Sequence, residues 1–200
     1  ITSPGISKLF SEMIAIWVVS FWENLNKPEK INLVELGAGN GELIEVLINT
    51  LNKLEIVKDK FKFFIFEKSV SLKKLQKKKF SKSVKWLDSF DKLPNSPTIF
   101  LANEFFDALP IKQFIKINED WYENYVLLNK RGKFSLEKKK VTKKKMDKIF
   151  NQGIDKNQNF IEFSPLMVKY LKSICKKIKS SAGGILLIDY GTSDKKMYDS

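Results

Sequence analysis

The chain has 200 residues, 36 Lys and Arg against 23 Asp and Glu, a formal charge of +13, one Cys and no His. Without His there is no Ser-His-Asp triad, no Cys-His pair, no imidazole general base and no His-ligated metal; the lone Cys175 makes neither an internal disulfide nor a Cys-rich zinc site and fits a reducing compartment. The longest apolar runs, around 13–22 and 185–188, fall short of the roughly 20 residues that cross a bilayer, so the sequence reads as one good-sized soluble domain without membrane insertion.

The elements alternate. Thr2-Ser3-Pro4 followed by Ile6, Leu9, Phe10, Met13, Ile14, Trp17 and Phe21 predicts a capped amphipathic helix to about Asn24, with Ser3 as N-cap, Pro4 at the first helical position and Pro28 closing the segment. Ile31–Leu36 is a buried strand ending in Gly37-Ala38-Gly39-Asn40-Gly41, and a helix runs from Glu42 to about Leu54. Phe61–Glu67 is a second strand and about Val70–Lys79 a Lys-rich helix. Val84–Leu87 is a third strand, 88–97 a turn-rich loop and Thr98–Ala102 a fourth strand, opening into Asn103–Pro110. Gln113–Ile117 and Trp121–Leu128 form a hairpin, with Phe134–Lys138 as an added edge. Lys143–Phe150 is helical, Phe160–Phe163 extended, and Ser164-Pro165 caps a helix ended by Gly183-Gly184. Ile185–Asp189 is a fifth apolar strand.

Strands alternating with helices over short loops predict an α/β fold, a mostly parallel sheet with helices on both faces. The hairpin and the Lys-rich stretch interrupt the alternation and read as an insertion, at 111–160, between the fourth and fifth core strands. The chain opens on Ile1 and closes in a polar stretch just after a strand, which reads as a fragment cut at both ends.

The charge is local. Lys73–Lys85 carries seven Lys and no acid, and Lys130–Phe150 ten Lys and Arg against Glu137 and Asp147; together they carry +15, so the rest nets −2. Arg131 is the only Arg among the 36 basic residues. Nucleic-acid readers favour Arg forks for bases and phosphates, so the Lys runs read as solvated faces more readily than as a nucleic-acid surface.

Acids collect instead at strand ends. Glycines at alternate positions between a strand and a helix let the backbone turn tightly and come close to a ligand at the carboxyl edge of a sheet. The spacing at Gly37, Gly39 and Gly41 is GxGxG with Glu35 before it, not the GxGxxG of a dinucleotide site. A strand-end acid before such a turn suits a cofactor with an ammonium group and no pyrophosphate, which S-adenosylmethionine (SAM) satisfies. Glu67 can accept both ribose hydroxyls, or simply pair with Lys68. Asp88 can meet the adenine edge, or be an ordinary loop acid. Asn103, Glu104 and Asp107 form a polar cluster after a wholly apolar strand; they can hold a cationic nucleophile by charge-assisted hydrogen bonds, or Glu104 or Asp107 can cap a helix. Asp189-Tyr190-Gly191 places a further acid and a phenol at the same edge. Trp17, Trp22, Phe64, Phe66 and Phe100 read as core.

The segments Thr2–Phe10, ELGAGNGEL at 35–43, FEKS at 66–69, LANEFFDALPIKQF at 101–114, Trp-Tyr-Glu at 121–123 and LLIDYG at 186–191 together resemble the MidA family of SAM-dependent methyltransferases. That family includes the mitochondrial arginine methyltransferases that act as complex I assembly factors. The resemblance implies a Rossmann-like class I methyltransferase core across 1–200. It places SAM at Glu35–Gly41 and Glu67 and a substrate face near Asn103–Asp107, where Asn103, Glu104 and Asp107 are the catalytic candidates. It implies a protein substrate, a respiratory complex I subunit, in the mitochondrial matrix of a eukaryote or the cytoplasm of a bacterium. Family members commonly carry Glu where this chain has Gly5, and they continue well past Asp189-Tyr190-Gly191. Two alternatives stand beside arginine methylation: a methyltransferase acting on RNA or a small molecule, and a non-catalytic, chaperone-like assembly factor.

Overall fold

The computed structural model describes residues 7–150, 154–155 and 158–190. Ser3, Pro4, Gly5 and Gly191 lie outside them, so the predicted cap, the Gly5 departure and the last residue of the Asp189 turn are not described. The described residues form two compact units, 7–108 with 169–190, and those within 109–168.

The first unit is built on α1 (Lys8–Asn24), β1 (Ile31–Leu36), α2 (Glu42–Leu51), β2 (Phe61–Phe66), α3 (Val70–Phe80), β3 (Val84–Leu87), β4 (Thr98–Asn103) and β9 (Gly183–Ile188). The five strands lie in the order β3-β2-β1-β4-β9, and every pairing is parallel. Parallel strands must be covered on both faces, which is why β1 is buried at all six positions. Alternation then divides the side chains. Ile31 and Leu33 join Ile14, Val18 and Trp22 of α1 and Leu43, Ile44 and Leu47 of α2 in one cluster. The opposite face carries an aromatic set: Phe66 packs on Phe90 and on Tyr170 of α5 (Pro165–Ser181), and Phe90 on Phe100. Phe100 is fully buried, worth roughly 2–3 kcal/mol of apolar transfer. Trp22, Phe64, Phe66 and Phe100 are core residues, and Trp17 packs against the core from partial exposure.

Several boundaries moved. α2 stops at Leu51, short of the expected Leu54, and residues 52–60 are turns. Gly183-Gly184 does not terminate a helix. α5 ends at Ser181, Ala182 takes the left-handed turn at φ 62°, and β9 begins at Gly183 itself. The reason is close approach: a Cβ on Gly183 would lie 1.9 Å from the Thr98 carbonyl oxygen, and one on Gly184 2.5 Å from the Phe21 ring. Glycine is therefore needed for strand pairing, a demand that looks like a helix stop in one dimension.

The second unit holds β5 (Lys112–Ile117), β6 (Asp120–Leu128), β7 (Phe134–Val141), α4 (Lys143–Ile149) and β8 (Phe160–Phe163). Its antiparallel sheet runs β7-β6-β5-β8. β7 reaches Val141, three residues beyond the expected edge strand, because Val141 turns into a small core with Phe114, Met146 and Ile161. Glu123 on β6 is 2% exposed and is held by Lys112 and by Lys145, the latter at 3.0 Å. Burial alone pushes its carboxyl up, but hydrogen bonds from Lys112 and Lys145 outweigh that and hold it at about 2.

Candidate functional site

All five parallel strands end on one edge of the sheet, and the strand order reverses between β1 and β4. An α/β sheet of this kind takes its ligand at the carboxyl edge beside that switch point. The turn after β1 and the loop after β4 flank it.

Glu35 is the penultimate residue of β1 and faces α2. It is 5% exposed, and its Oε2 is buried without a hydrogen-bond partner among the described residues. Burial raises its carboxyl to about 8 against the lowering effect of the Ile44 backbone amide, and neighbouring Glu42 and Glu67 raise it further. The turn that follows places Gly37, Gly39 and Gly41 at φ 67°, 53° and 82°. Three left-handed residues in five positions explain the GxGxG spacing, since each Cβ would bring strain of roughly 1–2 kcal/mol. Two of the three are also packed: a Cβ at Gly37 would lie 2.7 Å from the Phe105 ring and one at Gly41 2.5 Å from the Phe80 ring. A Cβ at Gly39 would meet nothing within 4 Å, so that side of the turn is open to a ligand.

Glu67 follows β2 and is 7% exposed. Its Oε1 accepts the backbone amides of Lys68 and Ser69, both at 2.8 Å, and its Oε2 accepts Gln76 Nε2 at 3.3 Å. Oε1 is thus filled, and Oε2 keeps one free lone-pair direction. Asp88 follows β3 but is exposed, with Oδ1 3.0 Å from Lys73 Nζ and Oδ2 3.8 Å from Lys92 Nζ. Hydrogen bonding and charge from Lys73 hold its carboxyl below the ordinary range. Such pairing competes with a ligand for the same oxygens.

Asn103 ends β4 with its Oδ1 buried and unpartnered. Glu104 follows at φ 50°, an uncommon conformation for a residue with a Cβ. Its amide is fixed by the Ile188 carbonyl at 2.8 Å, and its Oε1 accepts the Tyr190 hydroxyl at 3.2 Å. The charge on Glu104, then that hydrogen bond, raise the Tyr190 phenol, with Asp107 and Asp189 adding to the effect. Phe106 is buried and Asp107 exposed. The loop therefore anchors on Phe105 and Phe106 while presenting Glu104 and Asp107 beside Tyr190.

The structure brings Glu35, the glycine turn and Glu67 into one neighbourhood, Asn103, Glu104 and Asp107 into another at the same edge, and leaves Asp88 tied to lysines. Sequence reasoning missed Gln76. It is fully buried, and it donates to the Gly39 carbonyl at 2.9 Å as well as to Glu67. Its signal was present: Leu72, Gln76 and Phe80 recur at helical spacing, while the residues between are mostly Lys.

Of the five buried side-chain polar atoms without a partner among the described residues, Glu35 Oε2 and Asn103 Oδ1 lie at the carboxyl ends of adjacent strands. The chain belongs to the family described as "Putative S-adenosyl-L-methionine-dependent methyltransferase", whose model matches residues 13–200. It is 31% identical over 212 residues to a relative in Caenorhabditis elegans, the protein arginine methyltransferase NDUFAF7 homolog, mitochondrial, covering 96% of this chain and 50% of that protein. The Homo sapiens protein arginine methyltransferase NDUFAF7, mitochondrial, is 25% identical over 221 residues, covering 98% and 50%. The chain thus spans about half the length of the curated relatives it matches. Among solved structures, an uncharacterised protein from Burkholderia thailandensis superposes with TM-score 0.74 at 24% identity, covering 99% of this chain and 52% of that one. A second from the same organism, bound to S-adenosyl-homocysteine, gives TM-score 0.68 at 24% identity, covering 87% and 45%. These structural likenesses show the fold.

Proposed function

We propose that this chain supplies the cofactor half and an acidic substrate edge of a SAM-dependent protein arginine N-methyltransferase. The observation that carries the reading is Glu35: a buried acid with one unpartnered oxygen, held immediately before a turn of three left-handed glycines. A core with no ligand to bind gains nothing from an unpaired carboxyl oxygen, because burying it uncompensated costs several kcal/mol. Family membership and relatives named as arginine methyltransferases support the same reading.

SAM supplies, when bound, a methyl group on a sulfonium, activated for displacement by a nucleophile. Glu35 would face its ammonium group, the open turn at Gly39 would receive its backbone-like end, and Glu67 Oε2 would accept a ribose hydroxyl. Asp88 can reach an adenine edge only by exchanging its lysine contacts. At the β4 loop, Glu104 and Asp107 would grip a guanidinium by charge-assisted hydrogen bonds and fix one nitrogen for in-line attack. On alkylation that nitrogen would lose a proton to a carboxylate of the pair, while the sulfonium S–CH3 bond would break and S-adenosylhomocysteine leave. Asn103 Oδ1 adds an acceptor for an N–H. The left-handed Glu104 backbone, costing on the order of 1–3 kcal/mol, is the strain expected of a residue aimed for function.

The finer reading is a protein client in the respiratory complex I assembly line, located in a mitochondrial matrix or a bacterial cytoplasm. The curated relatives are named mitochondrial, and among the described residues no helix is long and apolar enough to cross a membrane. The test uses the full-length protein containing this chain with methyl-tritiated SAM and a lysate of its source. Label on arginine of a discrete protein, lost in Glu104→Ala and Asp107→Ala while SAM binding persists, is the expected result. Label in RNA, or none with intact SAM binding, would sink the arginine reading.

A further inference from the structure

α3 displays lysines to solvent but buries one amide, at Gln76. A residue whose task was only to fill this stripe would be apolar, as Leu72 and Phe80 are. Instead every hydrogen-bonding atom of Gln76 is assigned. Trp86 Nε1, which can only donate, lies 2.9 Å from Gln76 Oε1. The Gly39 carbonyl, which can only accept, lies 2.9 Å from Gln76 Nε2. These two partners fix the orientation of the amide, and the second Nε2 hydrogen is left for Glu67 Oε2 at 3.3 Å. One side chain therefore ties the open glycine of the β1 turn, the acid after β2 and the middle of β3.

Those are the two ends of the proposed cofactor contact. Resting on that reading, we infer that Gln76 is a positioning residue: it sets the distance between the Gly39 backbone and Glu67 Oε2 and aims the remaining lone pair of Oε2 at the cofactor ribose. α3 braces the turn a second time through Phe80, which fills the space a Cβ on Gly41 would occupy. The amide touches no reacting group, so it governs cofactor affinity and leaves the methyl-transfer step alone.

Two variants of the full-length protein test this, with S-adenosylhomocysteine as the titrated probe. Gln76→Leu removes all three hydrogen bonds at similar volume, and each bond contributes enough that affinity is expected to fall about tenfold or more, with turnover at saturating SAM within about twofold of wild type. Gln76→Glu retains an acceptor for Trp86 but sets a second carboxylate beside Glu67. When protonated it can donate again, so its affinity deficit relative to wild type is expected to shrink as pH falls from about 8 to about 5.5. A residue that merely packs the helix would show no such pH-dependent recovery. Should Gln76→Leu fail to fold, the pH profile of Gln76→Glu decides alone. Wild-type binding with both variants within about twofold at every pH would overturn the inference while leaving the cofactor site standing. A folded wild-type protein that binds no S-adenosylhomocysteine would overturn both.

Discussion

Glu35 and Glu123 are the same residue, each at most 5% exposed, and they sit in opposite chemical states. Glu123, in the antiparallel unit, has two lysines and lies at about 2; Glu35, in the parallel unit, has an unpartnered oxygen and lies at about 8. The difference separates two uses of a buried carboxylate. One is finished, its charge neutralised within the fold. The other has an oxygen without a partner among the described residues, which the cation of the proposed cofactor would complete.

The largest effect expected from breaking this contrast is in the finished site. Glu123→Ala leaves Lys112 and Lys145 without their acid; since both lysines are about half exposed and can be rehydrated, the loss should be about 2–3 kcal/mol, below that of a fully buried pair. Urea unfolding of the antiparallel unit would measure it. Next comes Glu35→Gln, which imitates the protonated acid. Unfolding stability at pH about 4.5 or below, where Glu35 is protonated folded and unfolded, should change by less than about 0.5 kcal/mol, while near pH about 7 SAM affinity falls roughly tenfold to a hundredfold, read by calorimetry. If stability collapsed instead, Glu35 would be structural like Glu123.

The two acids also predict opposite pH dependence. Glu35 has a folded value raised from 4.5 to about 8, so its contribution to stability is complete below about 4.5 and is lost as pH rises through about 8. Glu123 has a folded value lowered to about 2; its contribution is present above about 4.5 and is lost as pH falls toward about 2. Urea midpoints of Glu35→Gln and Glu123→Gln against wild type, followed across pH, should diverge from it at opposite ends. The smallest effect belongs to Gly39→Ala. With open space around the Cβ but φ at 53°, it should cost about 1 kcal/mol of stability, seen as a shift in thermal midpoint.

The parallel sheet was legible because β1, β2 and β4 are short apolar runs between helical patterns, and periodicity is a local property. The glycine turn was legible because left-handed backbone at 37, 39 and 41 demands a residue type, and the strand-end positions of Glu35 and Glu67 follow from it. What the sequence hid depends on contacts across many residues. Gln76 finds Gly39 at a separation of 37 positions. Glu123 stands in the Trp-Tyr-Glu segment at 121–123, but only folding brings Lys112 and Lys145 to it. Asp88 read as a candidate for the adenine edge because nothing local shows that Lys73 would turn back onto it. Gly183-Gly184 resembled a helix stop because the Thr98 backbone it must approach lies in another strand.

On the proposed function, Glu35 awaits a cationic cofactor. A calorimetric titration of the full-length protein with SAM near pH about 7, repeated in buffers of different ionisation enthalpy, tests it most directly. Binding is expected to release roughly one proton, and this release to be lost in Glu35→Gln. Binding without proton release, or no binding by a folded protein, would contradict it.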